Sequence, residues 1–411
     1  MSTATAFVMT HESNATRTAN DKAHSLIALA ITRSLGRRGV RVVRLHPNAL
    51  DTSLCSKYVS AVEICPNQYS SEEDLLNFLT ELVQKYEGEK VLIPASDDCS
   101  MFIADHYEAL SAHFRLVNPD SQSMKRMRDK LKQYRLAESA GVPIPETYCP
   151  ESLEEVESLA GKLKNFPYAI KPLVAQKWRL QEYGSVSKNK KAFTVNSPEE
   201  LVREYTRIAE ADGQLMIQEI IGGDDTNLLT VIGYCGADSD LMAYCVRSKL
   251  RQHPIDFGYC TSTVSCHHDI VERQARQLMQ RANYNGIVGI EFKYDKKSDQ
   301  HKLIEINTRP VNTTGISSGC GVDLPYIAYC DVLDIPGPKF NDWEDGVVWL
   351  RLKQDFVAAR ELKKLGKIGY IEWLRSIRGK RVHATFAMDD LRPFLQHYSQ
   401  YAINKFRGLP T

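Results

Sequence analysis

The chain has 411 residues, with 52 lysines and arginines against 51 aspartates and glutamates, a formal net charge of +1. So even a balance supplies no global field for holding a polyanion, which argues against nucleic acid or a membrane surface as a partner. With 43% hydrophobic residues and only 23 Gly and 17 Pro, disorder and low complexity are excluded, and at roughly 100–200 residues per domain the length accommodates two to four domains.

No apolar run approaches the ~20 residues that cross a bilayer, and Met1 to Asn20 is polar, so the protein is expected to be soluble and cytoplasmic. Ten cysteines are scattered without a CxxC pair, which fits reduced structural thiols better than disulfides or a zinc ribbon. The densest group, Cys260, Cys266, His267, His268 and Asp269, matches no tetrahedral spacing.

From the N-terminus, short β-branched runs alternate with amphipathic stretches, the pattern of a parallel α/β layer. Ala6 to Met9 reads as a strand and Ala23 to Leu35 as a helix. "RRGVRVVRL" turns at Gly39 into a second strand, and Glu72 to Tyr86 leads to the strand in "KVLIPASDD". The link after the first strand, "THESNATRTANDK", has no glycine, so a dinucleotide-binding turn is not expected there.

After a charged helix ending at Gly141, "VPIPE" forces an extended linker. Beyond it come strand "YAIKP", helix Pro198 to Ala211, strands "QLMIQEII", "LLTVIGY" and "LMAYCVRS", helix Ile270 to Asn283, and strands "GIVGIEFKYD" and "KLIEIN". This order reads as an α+β layer. The final stretch carries ten Lys or Arg between Arg351 and Arg381 against three acids, which reads as a solvated helical face. The expected domains are 1–121 (α/β), 122–333 (α+β) and 334–411 (a small, mostly helical segment).

The strands "GIVGIEFKYD" and "KLIEIN" are joined by a short polar stretch that suits a hairpin loop. With the turn centred on Ser298, Asp295 faces His301, Lys293 faces Leu303, Glu291 faces Glu305 and Gly289 faces Asn307. Alternation then gives an apolar face of Val288, Ile290, Phe292, Tyr294, Ile304 and Ile306, while Glu291, Glu305, Asn307 and Arg309 share the other. Opposed carboxylates repel unless a cation lies between them. Two carboxylates and an amide oxygen suit Mg2+, and Arg309 could hold a phosphate or oxyanion. An exposed hairpin with Lys293 neutralising the acids accounts for the same pattern.

Elsewhere, Lys171 ends the apolar strand "YAIKP", Lys130 precedes the linker, and "MIQEIIGGDD" runs from an apolar strand into Gln218, Glu219, two glycines and two acids. Each lysine alone is most simply a surface residue, and the last motif is most simply a strand entering a turn. Lysine ammoniums suit phosphate oxygens.

Taken in order, Lys130, Lys171, Gln218 to Asp225, the basic strand with Arg247, Lys249 and Arg251, Glu291, and Glu305-x-Asn307-x-Arg309 resemble the ATP-grasp superfamily. "SLGRRGVRVV", "VLIPASDD" and "DKLKQYRLAESAGVPIPET" look like the preceding Rossmann-like domain and its junction in carboxylate–amine ligases. "GVDLPYIAYCDVL", "EWLRSIRGK" and "AMDDLRPFL" are similar to the D-aspartate ligase type, so the resemblance covers nearly the whole chain.

The resemblance implies a pre-ATP-grasp domain followed by an ATP-grasp domain that binds ATP and one or two Mg2+, with Mn2+ as a substitute. Lys130 and Lys171 would hold phosphates; Gln218, Glu219 and the backbone N–H of Ile221 would bracket adenine; Asp225 would take the ribose. Glu291, Glu305 and Asn307 would bind the metal, and Arg309 with Lys249 or Arg251 would face the transferring phosphoryl. The chain departs from many members after Lys171, where "LVAQKWRLQEYGSVSKNKK" holds one glycine, Gly184; Lys177, Arg179 or Lys191 could replace a glycine-rich phosphate cover.

The implied activity is ligation of a small carboxylate and an amine through an acyl phosphate. A different ATP-grasp reaction, a nucleotide-binding regulator without turnover, and an oxidoreductase using the N-terminal layer are the alternatives, the last disfavoured by the missing glycines. The basic C-terminal segment suits either a cap over the acceptor site or a homodimer contact.

Overall fold

The computed structural model describes residues 4–10, 19–49, 51–173, 178, 192–210, 214–255 and 258–406. The N-terminal layer is a five-stranded parallel sheet of β1 (Thr5–Met9), β2 (Arg41–His46), β3 (Ala61–Ile64), β4 (Lys90–Pro94) and β5 (Arg115–Leu116), in the order β3-β2-β1-β4-β5. Every residue of β1 is buried, as a strand covered on both faces requires. Gly39 turns the helix Ala19–Arg37 into β2 at a φ of 77°, a left-handed value that costs glycine little. The edge strand β3, "AVEI", is only half-buried and lacks the apolar run that marks its neighbours.

A four-stranded antiparallel sheet follows: β6 (Thr147–Tyr148), β7 (Tyr168–Pro172), β8 (Phe193–Val195) and β9 (Leu215–Glu219), ordered β6-β9-β7-β8. The helices Leu153–Lys162 and Pro198–Ala209 bring Val156, Ala160, Leu201, Tyr205 and Ile208 into its core. Ser152 and Ser197 cap them, accepting hydrogen bonds from Glu155 N–H and Glu200 N–H.

The largest sheet has seven strands: β10 (Leu228–Cys235), β11 (Leu241–His253), β12 (Tyr259–Ser265), β13 (Gly286–Asp295), β14 (Gln300–Asn307), β15 (Val348–Leu350) and β16 (Arg381–His383), ordered β14-β13-β10-β11-β12-β15-β16. Its apolar face shares one continuous core with the N-terminal layer, running from Ala6, Val8 and Ile31 to Val231, Ile290 and Phe292.

Two features correct the expected layout. β12, "YCTSTVS", is hidden from hydropathy by its hydroxyls, although Thr261, Ser262 and Thr263 are almost wholly buried. The segment after 333 does contain the helices Leu352–Lys364, Tyr370–Ser376 and Arg392–Phe406. It also supplies β15, antiparallel to β12, and β16, parallel to β15. The sheet therefore crosses the expected 333/334 boundary. Among the described residues no helix is long and apolar enough to cross a membrane.

Candidate active site

The hairpin β13–β14 pairs Glu291 with Glu305 and Gly289 with Asn307, as alternation predicts. Closer to the turn the register slips by one: Phe292 pairs with Leu303, Lys293 with Lys302 and Asp295 with Gln300. A bulge at Ile304 causes the shift, and Leu303 rather than Ile304 joins the buried face. The helix Lys130–Ser139 holds this irregular edge strand: Tyr134 Oη donates to Ile304 O at 2.9 Å. Gln133 donates to Ile306 O and accepts from Ile306 N–H, each at 3.0 Å. A side-chain amide thus completes the backbone pairing of the sheet edge.

Paired positions place Cβ atoms roughly 4.5–5.5 Å apart, so the two carboxylates share one small region. Cations surround it. Lys130 Nζ lies 3.8 Å from Glu305 Oε1, and Arg247 Nη2 lies 3.9 Å from Glu291 Oε1. Lys171, on β7, donates to Gln218 Oε1 at 2.8 Å. Burial and the neighbouring Lys130 push its ammonium down to about 7, against the pull of Glu305. The four-stranded sheet therefore delivers Lys171 to the same region that the seven-stranded sheet fills with acid.

The remaining expected residues divide. Gln218 is buried, and its Nε2 donates to Thr147 Oγ1 at 2.9 Å. Glu219 pairs with Lys302 Nζ at 2.9 Å and accepts from Glu146 N–H at 3.1 Å. Ile221 is buried just beyond β9. Asp225 accepts from Gln252 Nε2 at 2.9 Å; burial raises its carboxyl against the pull of Lys249, Lys293 and Lys367. Lys249 is buried and donates to Gln252 Oε1 at 3.3 Å. Lys177, Arg179 and Lys191 lie outside the described residues.

The two arginines expected to face a phosphoryl group each pair with an aspartate from another element. The register of β11 shifts between Lys249 and Arg251, and Arg251 makes a two-pronged bond to the buried Asp355, Nε at 2.9 Å and Nη2 at 2.8 Å. Arg309 does not continue the strand. A Cβ at Gly289 would lie 2.5 Å from Val311 Cγ1, so the glycine lets the chain fold back across the sheet. Arg309 then donates to Asp97, Nε to Oδ1 at 2.8 Å and Nη2 to Oδ2 at 3.0 Å.

Glu291, Glu305 and Asn307 provide an oxygen-only donor set on adjacent strands, the chemistry that a hard divalent cation takes. Thr230 of β10, paired with Glu291 of β13, keeps a buried Oγ1 without a hydrogen-bond partner, spare polar capacity beside the acids. These residues fit magnesium. Among the described residues no group of three or more His, Cys, Asp or Glu could hold a metal. Cys260 is buried on β12, while His267 pairs with Asp342 and Asp345, each at 2.8 Å. All ten cysteines are free thiols.

Sequence reasoning missed Asp97, Asp355 and Gln133. Asp97 stands inside the quoted "VLIPASDD", but its partner lies 212 positions away, and no local pattern signals such a pair.

Residues 215–354 match the family model described as "ATP-grasp in the biosynthetic pathway with Ter operon". A D-aspartate ligase from Enterococcus faecium is 24% identical over 246 residues, 58% of this chain and 57% of that protein. The chain thus spans a little over half the length of that relative. A biotin carboxylase from Campylobacter jejuni, solved as a β,γ-ATP complex, superposes with a TM-score of 0.63 at 16% identity, covering 84% of this chain and 74% of that one. An L-amino acid ligase from Bacillus licheniformis superposes with a TM-score of 0.56 at 13% identity, covering 80% and 74%. Residues 215–354 therefore form an ATP-grasp family domain, and the chain is a homologue of D-aspartate ligase.

Proposed function

We propose that this protein is an ATP-dependent carboxylate–amine ligase, forming an amide through an acyl phosphate and releasing ADP and phosphate. The observation that carries this reading is the convergence of Glu291 and Glu305, opposed on β13 and β14, with Lys130 and Lys171 from two other elements. Opposed acids with lysines beside them suit a metal-bound polyphosphate.

A carboxylate's oxygen is too poor a leaving group for an amine to displace at neutral pH, and phosphorylation corrects this. Lys130 and Lys171 would neutralise the α- and β-phosphates, and Arg309 and Lys249 would oppose charge on the transferring phosphoryl. The strand end at Gln218, Glu219 and Ile221 would meet adenine, the last through its backbone N–H, and Asp225 the ribose. Glu291, Glu305 and Asn307 would hold one or two Mg2+ ions, whose charge would screen the β- and γ-phosphate oxygens. Closing the four-stranded sheet over the nucleotide would exclude water, which otherwise hydrolyses an acyl phosphate.

The test is an ADP-release screen of amino acids and other small acids crossed with amines, with MgATP. One pair should give ADP and an amide product by mass. Glu305→Gln should lower that rate by about 10²–10³-fold while the protein still unfolds cooperatively. Full activity in Glu305→Gln would remove the metal assignment. Nucleotide binding without turnover across the panel would favour a regulator.

A further inference from the structure

Asp97 lies three residues beyond β4, in the first turn of the helix Asp97–Asp105, whose N-cap Ser96 accepts from Cys99 N–H at 3.1 Å. In the order β3-β2-β1-β4-β5 the strand order reverses between β1 and β4, which run parallel, and ligands of open parallel sheets gather outside the strand ends at such a point. The N-terminal layer therefore places one carboxylate at its own ligand-prone edge and aims it at Arg309, just past β14.

The contact has directional content. Asp97 takes Nε and Nη2 of Arg309, while Nη1 donates to Pro310 O at 3.0 Å. One N–H on each terminal nitrogen remains for another acceptor. Both side chains are only about an eighth exposed, 12% and 13%, so solvent screens the pair weakly. Docking of the two segments does not need it. The shared apolar core already joins the layers, and Ser100 Oγ packs 3.2 Å from Thr308 O.

We propose that Asp97 is a positioning residue for phosphoryl transfer, orienting Arg309 so that its unused edge meets the transferring phosphoryl group. This rests on the ligase reading above. The N-terminal layer then acts on the chemistry itself, through a residue that touches neither metal nor nucleotide.

The experiment compares calorimetric affinity for MgADP alone with that for MgADP plus aluminium fluoride, a mimic of the phosphoryl in flight. Wild type should bind the fluoride complex at least about tenfold tighter than MgADP. Asp97→Asn should lose roughly tenfold of that gain, with MgADP affinity unchanged, and Asp97→Glu should restore part of it. Arg309→Ala should lose the same gain, and the double variant should lose no more than Arg309→Ala alone. An intact gain in Asp97→Asn, an equal weakening of MgADP alone, or additive losses in the double variant would overturn the proposal. A wild type with no gain from aluminium fluoride would instead sink the ligase reading, and this inference with it.

Discussion

Two charge clusters on the seven-stranded sheet are finished in opposite ways. Around Asp355, itself fully buried, every bond is short: Arg251 Nε and Nη2, Thr261 Oγ1 and Trp373 Nε1 all donate at 2.8–2.9 Å. Beside Glu305 and Glu291 the ion pairs to Lys130 and Arg247 are longer, at 3.8 and 3.9 Å. Thr230 Oγ1 and Arg247 Nε are buried there without partners. A completed network fixes a scaffold; a more loosely paired one leaves polar capacity for a ligand. The closed cluster ties the C-terminal segment to the sheet, and the other gathers lysines from the helix Lys130–Ser139 and from β7.

The largest effect should come from opening the closed cluster. Asp355→Ala leaves Arg251 buried without its counter-charge, and should cost about 3–5 kcal/mol in equilibrium denaturation. Glu305→Gln relieves repulsion between like charges, so its loss of activity should come without loss of stability. If the two variants were equally destabilised, the distinction between scaffold and site would collapse.

A smaller effect tests the open cluster through Lys171. On its proposed role, Lys171→Ala should weaken nucleotide binding about ten- to hundredfold, or roughly 1.4–2.7 kcal/mol. An unchanged affinity would make it an ordinary lysine. The pH dependence has a definite sign. With its ammonium at about 7 when folded against an ordinary 10.5, the unfolded chain holds the extra proton between those values. Stability of the free protein should therefore rise with pH across that window. Nucleotide affinity should move the other way, since phosphates favour the charged form: it should fall as pH rises above about 7. Lys171→Ala should remove both slopes.

The same contrast explains what the sequence discloses. The opposition of Glu291 and Glu305 follows from strict alternation in a local hairpin. The register fails a few residues on because Tyr134, 170 positions away, pins the bulge at Ile304. Arg251 and Arg309 carry the right charge, but their direction is set by Asp355 and Asp97, 104 and 212 positions distant. The parallel layer was readable from its apolar runs. β12 was not, since its buried hydroxyls imitate a surface strand. The C-terminal strands are three residues each, too short for periodicity to register.

The smallest effect separates two adjacent acids that join the C-terminal segment to the helix Ala19–Arg37. Asp390 is fully buried and accepts from Arg33 Nε at 2.9 Å, Ser56 Oγ at 2.7 Å and Lys57 N–H at 2.9 Å. Asp389 pairs with Arg37 at 2.8 Å, but both side chains are about two-fifths exposed. The Arg37 bond holds the Asp389 carboxyl well below its ordinary range, yet water and salt screen such a pair. Asp389→Asn should shift the denaturation free energy by less than about 1 kcal/mol, and added salt should shrink even that. A loss of more than about 2 kcal/mol would mean that the exposed pair fastens the segment, and that short, buried, fully shared bonds are not what marks scaffold in this molecule.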